Sequence, residues 1–339
     1  MQIHLNTWGT YLHVHDQLFE VKIRKEKQVE KHQIAAHKVK SIWIGQGIAL
    51  SSEAVHLAMK HNIDLVFLER DGKPIGRVWH SKLGSTTLIR KRQLEASLGE
   101  QALHYTKIWV IAKLEHQLTA LKALKKHRSQ HEVYLSEKVE RVTKLQQSLT
   151  RLEGRHLDDL ADTIRGLEGT ASRLYFETLS YVLLPPYQFS GRSFRPAQDV
   201  FNALLNYAYG VLYSRVEKAL ILAGLDPYVG FLHRDDYNYK SMVYDFIEPY
   251  RGYADKVVFS LLAAKKVNQS HTQAIANGVG LTKEGKVLLI EHLNIYLEED
   301  KIRYKGRNQT RANCIQYDAH SFANELLGKN QEIPTTQQY

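Results

Sequence analysis

Residues 90–126, RKRQLEASLGEQALHYTKIWVIAKLEHQLTALKALKK, mark the point where the chain changes from strand patterns to helix patterns. The stretch contains no proline, and its apolar residues recur at the spacing of one helix face. These residues are Ile108, Ile111, Leu114, Leu118, Leu121 and Leu124. A second amphipathic segment, 135–152, follows a turn at 127–131. The pattern predicts a helical hairpin, whose second arm we interpret as a packing or partner helix.

The first eighty residues show the pattern of β-strands. Alternating runs of aromatic and β-branched residues occur at 11–16 (YLHVHD), 18–24 (LFEVKIR) and 41–45 (SIWIG). Such runs, separated by polar or glycine turns, are typical of strands. Ser51 or Ser52 can cap one short helix, and 63–69 (IDLVFLE) is typical of a buried strand. This part is therefore predicted to be a small β-sheet domain that carries one helix.

The rest of the chain is predicted to be mainly helical. Further helical stretches cover roughly 168–183, 198–224, 243–265, 281–297 and 313–328. A length of 339 residues makes two domains a reasonable expectation. We predict fold class α+β, with a β-rich domain at 1–82, a linker at 83–92, a larger α-helical domain at 93–328 and a polar tail at 329–339.

The charge balance favours a polyanionic partner. The formal net charge is +10 and the isoelectric point is near 9.3, which indicates nucleic acid first and an anionic membrane surface second. Ten lysines and arginines stand against three glutamates between Lys82 and Arg128. We expect this tract to neutralise phosphates without reading base sequence.

Other features of the composition indicate an intracellular setting. The single cysteine, Cys314, excludes an intramolecular disulfide and a zinc cluster of several thiolates. The N-terminus has no apolar core of a signal peptide, and no apolar run reaches the roughly 18 residues that would span a bilayer. We expect a cytoplasmic protein that does not enter the membrane.

Three polar islands interrupt the apolar, helical part of the chain. Glu168 lies in GLEGTASRLYFE, His233 in GFLHRDD, and Asp245 and Glu248 in YDFIEPYR. Carboxylates and an imidazole are ligands that Mg²⁺ or Mn²⁺ accepts. In a chain this basic, a metal site at these residues suggests chemistry on phosphodiesters.

Each of these residues also has a plainer interpretation. Asp245 and Glu248 are three apart, so a helix would place both on one face among apolar neighbours. Burying two like charges requires a compensating cation, or else one of them is exposed and the other pairs with Arg251. Glu168 alone could be an acid at a helix N-terminus, and His233 alone could be a structural histidine.

The strings that surround these residues resemble a known family. LEGTASRLYFE, FSGRSFRPAQDVFNALLNYAYGVLY, AGLDPYVGFLH and VYDFIEPYR are similar to the core of the CRISPR-associated adaptation integrases, the "Cas one" proteins. The likeness covers nearly the full chain. It implies an N-terminal β-sandwich-like domain with a strand-helix-strand portion, a short linker and a C-terminal all-α catalytic domain.

The resemblance also implies roles for individual residues. Glu168, His233 and Glu248 match the catalytic metal ligands of the family, and Asp245 matches a supporting acid. Asn206, in the LLNY string, matches a residue that lines the site. Weaker candidates for contacts with DNA are Arg90, Lys91, Arg92, Arg173, Arg192 and Arg195.

The activity that the resemblance implies is that of a DNA endonuclease and integrase dependent on Mg²⁺ or Mn²⁺. It joins the 3′-hydroxyl ends of a double-stranded DNA fragment to a CRISPR repeat. One phosphodiester breaks as another forms, so no nucleotide cofactor is needed. The implied partners are DNA, a second copy of the chain, and the small "Cas two" protein in a heterohexamer.

Two other functions remain open on the residues alone. One is a DNA-binding scaffold whose carboxylates are structural, and the other is a nuclease unrelated to CRISPR adaptation. If His233 does bind a metal, it must be neutral, so activity should fall in acid.

Overall fold

The computed structural model describes residues 1–25, 28–70, 74–78, 86–233 and 239–329. The chain divides into two compact units, Met1–Gly84 and Ser85–Tyr339. Of the predicted polar tail, only Lys329 belongs to the described residues. No helix among the described residues is both long enough and apolar enough to cross a membrane.

The described residues of the N-terminal unit form two four-stranded sheets and one α-helix. Its strands are β1 Gln2–Leu5, β2 Tyr11–His15, β3 Leu18–Lys25, β4 Gln28–Ala35, β5 Ser41–Ile44, β6 Ala49–Leu50, β7 Asp64–Leu68 and β8 Pro74–Val78, and its helix is α1 Ser52–Lys60. One sheet has the order β1-β5-β7-β8, with only β8 antiparallel to its neighbour. The other has the order β4-β3-β2-β6, in which β2, β3 and β4 form an antiparallel meander.

An apolar cluster shared by both sheets holds the N-terminal unit together. Alternate residues of β2 and β3, such as Leu12 and Phe19, point into it, as do Ile3 and Ile42 from the other sheet. The helix α1 adds Leu57, and its N-terminus is capped by Ser51, whose hydroxyl accepts from the Ala54 amide. This strand-rich, sandwich-like arrangement confirms the predicted class of the first domain.

The second unit is mostly helical, as predicted. Its helices are α2 Thr86–Leu98, α3 Gln101–His127, α4 Glu132–Arg151, α5 Ala161–Val182, α6 Val200–Leu222, α7 Ser241–Phe246, α8 Arg251–Ala263, α9 Lys283–Asn294 and α10 Arg311–Leu326. The helices α3 and α4 pack against each other as a hairpin. Leu114, Leu118 and Leu121 form part of the buried face of α3, whereas Ile108 is exposed.

The unit is nevertheless not all-α, which corrects the prediction. Two antiparallel hairpins interrupt the helices: β9 Thr272–Ile275 with β10 Gly278–Leu281, and β11 Lys301–Tyr304 with β12 Arg307–Thr310. Their turns use left-handed backbone at Asn277 (φ 61°) in one and at Lys305 and Gly306 (φ 44° and 80°) in the other. Such residues permit a tight reversal that helical periodicity does not show.

The structure also differs from the predicted linker at 83–92. Residues 83–85 lie outside the described part, but 86–92 belong to α2. The buried Gln93 anchors this helix, because its side-chain nitrogen donates to the carbonyls of Asp226 (2.9 Å) and Val229 (2.8 Å). Its oxygen accepts from the Asp226 amide at 2.8 Å. The spacing of apolar residues does not show hydrogen bonds of this kind, so it could not predict where this helix begins.

Candidate metal centre and its supporting network

The candidate site lies where α3, α5 and the segment that follows α7 meet. Glu168 is in the third turn of α5, because the helix begins at Ala161 and not near residue 168. Its neighbours one turn away on each side, Ile164 and Ala171, are buried. Glu168 therefore lies on the face of α5 that packs into the protein, and not at the helix N-terminus.

Glu248 reaches the same place from a break in the predicted helix 243–265. The helix α7 ends at Phe246, and a short 3₁₀ turn, Glu248–Tyr250, leads into α8. Pro249 accounts for the break, because proline has no N–H for the helical hydrogen bond. Because this turn packs against α3, Glu248 is only 5% exposed.

Lys113 of α3 joins the two glutamates. Its ammonium group contacts a carboxylate oxygen of Glu168 and lies 2.6 Å from Oε2 of Glu248. The other oxygen of Glu248, Oε1, accepts from Nε of Arg251 at 2.7 Å. Lys113 and Glu248 are buried, whereas the side chains of Glu168 and Arg251 are partly exposed, so this cluster of two carboxylates and two cations lies at the edge of the interior.

Electrostatics keeps Glu248 and Lys113 of this cluster ionised. Burial by itself raises the pKa of Glu248, but the positive charges of Arg251 and Lys113 outweigh it and lower that pKa to about 2. Burial lowers the pKa of Lys113, but Glu248 and Glu168 more than compensate, so the net direction is upward. At neutral pH Glu248 is therefore a carboxylate beside a protonated Lys113.

Lys113 was not among the predicted site residues. It was counted within the basic tract at 82–128 that we expected to contact phosphates. The sequence does contain a signal for it, because Lys113 falls on the α3 face that also carries Val110, Leu114 and Gln117, all of them buried. A lysine on a buried helix face requires an acidic partner.

His233 is held by Asp245 rather than by the glutamates. Oδ2 of Asp245 accepts from the amides of Phe231 (2.5 Å) and Leu232 (3.1 Å). Oδ1 accepts from the His233 amide at 3.3 Å and lies 2.6 Å from Nδ1 of the His233 ring. Asp245 thus shapes the backbone before His233 and fixes one ring nitrogen, which leaves Nε2 as the other possible ligand atom.

The pKa of His233 is raised overall. Burial lowers it, but the hydrogen bond and the charge of Asp245, together with the charge of Glu248, act more strongly in the opposite direction. The influence of Glu248 indicates that the imidazole and the carboxylate cluster belong to one electrostatic neighbourhood.

The predicted ligands are brought together only in part. Glu168 and Glu248 share Lys113, but no group of three or more His, Cys, Asp or Glu side chains within the described ranges is close enough to hold a metal ion. The alternative in which Glu248 pairs with Arg251 is also partly correct. That pair exists, but Asp245 and Glu248 are both buried, so neither is the exposed acid that the alternative requires.

The glutamate pair suits a divalent cation. Oε2 of Glu248 is buried and receives no hydrogen bond, and its polar neighbour is the ammonium group of Lys113 at 2.6 Å. The carboxylates of Glu168 and Glu248 both face the position of the Lys113 ammonium group. Carboxylate oxygens arranged around one cation are the ligands that Mg²⁺ and Mn²⁺ favour. The residues present therefore fit a metal between Glu168 and Glu248, with His233 beside it.

Asn206 organises a loop next to this centre. Its Oδ1 accepts from Arg192 at 2.9 Å, and its Nδ2 donates to the carbonyls of Ser193 (3.0 Å) and Phe194 (3.1 Å). Arg192 also contacts Asn202 of α6. Both Arg192 and Asn206 therefore hold the backbone of the loop at 189–199, whereas Arg195 in the same loop is exposed.

Tyr209 connects that loop with the glutamates. Two guanidinium groups lie near its ring, with the Cζ atoms of Arg192 and Arg251 at 5.6 Å and 5.1 Å from its centroid. The hydroxyl donates to Oδ1 of the buried Asp255 at 2.7 Å. Burial raises the pKa of Asp255 to about 6, although Tyr209 and the nearby cations act against it. Arg251 completes the connection because it binds Glu248.

The predicted DNA-contacting residues of α2 and α5 are on the surface. Arg90, Lys91 and Arg92 of α2 are exposed, and Arg92 pairs with Glu95 at 2.8 Å. Arg173 of α5 is also exposed and pairs with Glu177 at 3.0 Å.

Other residues of the basic tract have structural contacts. Lys107 donates to the carbonyl of Leu152 at 2.5 Å, where α4 ends, and Arg128 donates to that of Val182 at 2.5 Å, where α5 ends. Cationic side chains at these positions donate to the last carbonyl groups of a helix, which have no partner within the helix.

Comparisons with known proteins agree with this fold. The model of the family described as "CRISPR associated protein Cas1" matches residues 3–294. A CRISPR-associated endonuclease Cas1 of Archaeoglobus fulgidus is 31% identical over 97% of both chains. A casposase bound to its integration product has a TM-score of 0.80 at 23% identity, covering 99% of this chain and 94% of that one. A Cas6-RT-Cas1–Cas2 complex has a TM-score of 0.76 at 21% identity, covering 97% of this chain and 35% of that one.

These matches define a class of protein with a strand-rich first unit and a helical second unit, and they confirm the α+β fold class. The chain belongs to the Cas1 family. The resemblance seen in the sequence motifs is thereby confirmed. Relatives in this family are named endonucleases, and endonucleases generally need divalent metal ions.

Proposed function

We propose that the chain is a metal-dependent DNA endonuclease and integrase that inserts DNA fragments into a CRISPR array by transesterification. The observation that carries this proposal is the pairing of the partly buried Glu168 and the buried Glu248 with the same ammonium group, in a chain of the Cas1 family. Glu168, Glu248 and His233 are the proposed ligands, and Mg²⁺ or Mn²⁺ is the proposed ion.

The surrounding residues suit this chemistry. When bound, the divalent ion would polarise the scissile phosphate and offset charge on its oxygens. Arg251 fixes Oε1 of the Glu248 carboxylate, whereas Lys113 contacts Oε2. Asp245 orients the His233 ring through Nδ1, so that a neutral imidazole presents Nε2. Transesterification conserves the number of phosphodiester bonds, so a nucleotide cofactor is not required.

The proposed partners follow from the relatives. One structural neighbour is a casposase bound to an integration product, and another is a complex that contains Cas1 and Cas2. We infer that this chain binds double-stranded DNA and the CRISPR repeat, forms a homodimer, and assembles with Cas2 in the cytoplasm. The net charge of +10 supports the DNA partner.

Strand transfer by single variants tests the proposal. Glu168→Ala, His233→Ala and Glu248→Ala should each abolish joining of a labelled fragment to a repeat-containing duplex, because each removes a ligand. DNA binding, measured separately by fluorescence anisotropy, should persist. Glu177→Ala is a matched control, because Glu177 is an exposed glutamate of the same helix, α5. Its strand transfer should equal that of the wild type.

The same assay separates the enzyme from a DNA-binding scaffold. A scaffold with structural carboxylates predicts that the alanine variants keep whatever activity the wild type shows, as long as they fold. Retained strand transfer in Glu168→Ala or His233→Ala, with folding verified by circular dichroism, would contradict the proposed function.

A further inference from the structure

The position of Lys113 has a consequence for metal binding. Its ammonium group contacts Glu168 and lies 2.6 Å from the Glu248 oxygen that receives no hydrogen bond. These are the two carboxylates that the proposed function assigns to the metal. Two carboxylates held close together with little access to water repel each other unless a cation lies between them. Lys113 supplies that cation from within the chain.

We propose that Lys113 is a displaceable internal counter-ion: its ammonium group occupies the place between Glu168 and Glu248 in the metal-free protein and leaves it when a divalent cation binds. The inference rests on the proposed function, in which both glutamates hold the metal. The inference assigns Lys113 two effects: it competes with the metal ion, and it stabilises the carboxylate pair when no metal is bound.

Charge balance explains why the ammonium group would leave. The two carboxylates are neutralised by Lys113 and Arg251, so the cluster has no net charge as it stands. Adding a divalent cation without moving Lys113 would leave two excess positive charges in a buried place. Like charges at such short range in a poorly solvated site are strongly unfavourable. One of the two cationic side chains is therefore expected to move.

Lys113 is better suited to move than Arg251. Arg251 is held by several contacts: Nε donates to Glu248, Nη1 donates to Tyr213 at 2.9 Å, and the guanidinium lies against the Tyr209 ring. Lys113 has a flexible four-carbon stem, and its polar contacts within the described residues are the two glutamates. Rotation of that stem would expose both carboxylates to a metal.

The proposal predicts two effects of Lys113→Met, one on metal affinity and one on the stability of the metal-free protein. Metal binding should become tighter because no internal cation competes, and the metal-free protein should become less stable because the buried Glu248 and the partly buried Glu168 lose their shared counter-ion. A lysine with a purely structural role predicts only the loss of stability. A lysine that helps to hold the metal or its ligands predicts weaker binding.

A matched control exists in Lys138 of α4. Its side chain is 10% exposed, like that of Lys113, and its ammonium group pairs with Glu177 at 3.3 Å. Lys138→Met therefore removes an equally buried lysine away from the candidate centre. It should lower stability and leave metal affinity unchanged.

The experiment measures Mn²⁺ binding to the full chain by isothermal titration calorimetry and thermal unfolding in EDTA. We expect Lys113→Met to bind Mn²⁺ on the order of tenfold more tightly than wild type, the size of one competing charge-assisted hydrogen bond. Its melting temperature should be lower than that of wild type in EDTA. Mn²⁺ should raise that temperature more in Lys113→Met than in wild type or Lys138→Met.

Lysine footprinting supplies a direct readout in the wild-type protein. An amine-reactive acetylating reagent with mass-spectrometric detection should label Lys113 weakly in EDTA and several-fold faster with saturating Mn²⁺. Labelling of Lys138 should not change. This measurement needs no variant and so does not depend on whether Lys113→Met folds.

The outcomes separate the inference from the function on which it rests. Equal or weaker Mn²⁺ binding by Lys113→Met, or Lys113 labelling that Mn²⁺ does not change, overturns the counter-ion role. If Mn²⁺ also binds in a manner that Glu168→Gln and Glu248→Gln abolish, the metal site itself survives that result. If the wild type binds no Mn²⁺, the proposed function and the inference fail together.

Discussion

At the scale of single residues, Asp245 illustrates how an acid can serve a site without being a ligand. Its two oxygens accept from three consecutive amides, those of Phe231, Leu232 and His233, and one also contacts the His233 ring. A carboxylate that accepts several backbone hydrogen bonds in a buried place is expected to be structurally indispensable.

Replacing Asp245 by alanine should therefore destabilise the helical unit strongly. Three buried amides would lose their acceptor, and we expect a loss of about 3 kcal/mol in the free energy of unfolding. Urea denaturation followed by circular dichroism measures this loss. Asp226→Ala is the control, because Asp226 is partly exposed and accepts from one amide, that of Tyr228. A cost below about 1 kcal/mol for Asp245→Ala would contradict the role assigned to it.

Sequence reasoning found the acids of the site but not the base between them. Glu168, His233, Asp245 and Glu248 stand out because each is a polar residue in an apolar string. Lys113 lies in a tract with nine other lysines and arginines, and only its helical spacing from Val110 and Leu114 distinguishes it from a surface residue. Its burial results from the packing of α3 against α5 and against Glu248–Tyr250, which are distant in sequence.

At the scale of secondary-structure elements, α6 and α8 are joined by a titratable contact. Tyr209 of α6 donates to Asp255 of α8, and both side chains are buried. Because burial raises the pKa of Asp255 to about 6 from 3.8, the folded protein keeps a proton that the unfolded chain releases. The stability that this proton confers is present below pH 3.8 and is lost as the pH rises through 6.

Asp255→Asn should remove that dependence. The free energy of unfolding of the variant should match that of wild type near pH 4 and exceed it by ~3 kcal/mol above pH 7, since each pKa unit corresponds to about 1.4 kcal/mol. Denaturation series at pH 4, 5, 6 and 7 measure the difference. Asp318→Asn serves as a comparison, because Asp318 forms an ion pair with Lys305 whose loss should lower stability at neutral pH. A difference that does not vary with pH would refute the assignment for Asp255.

The elements themselves were predictable where periodicity is long and unbroken. The hairpin of α3 and α4 and the helix α6 follow from their apolar spacing. The boundaries that failed have identifiable causes: Gln93 anchors α2 by hydrogen bonds, Pro249 divides the helix at 243–265, and left-handed residues such as Asn277 allow the two hairpins. Each cause is a single polar or conformational feature that an average over a window does not detect.

At the scale of the whole molecule, the net charge of +10 favours binding to DNA, and the number of phosphate contacts sets its salt dependence. A protein that neutralises several phosphates releases the counter-ions condensed on them, so its affinity falls steeply with salt. With roughly six phosphate contacts, affinity should fall by about a thousandfold between 50 and 200 mM salt. Anisotropy titrations with a labelled duplex at several salt concentrations give the slope directly.

The exposed end of α3 is the place to test which charges contribute. Lys122 and Lys126 are exposed there, whereas Lys107 and Arg128 of the same tract donate to carbonyls at helix ends. The double variant Lys122→Gln and Lys126→Gln should weaken binding equally for unrelated DNA sequences. It should also reduce the slope of log affinity against log salt by about two.

A charge-matched control separates local contact from net charge. Lys31 and Lys60 of the N-terminal unit are also exposed, and changing both to glutamine lowers the net charge by the same amount. If binding depended on net charge alone, both double variants would lose the same affinity with the same slope. If α3 contacts the phosphates, only the Lys122 and Lys126 variant should show a reduced slope. An unchanged slope in that variant would exclude the end of α3 from the DNA-binding surface.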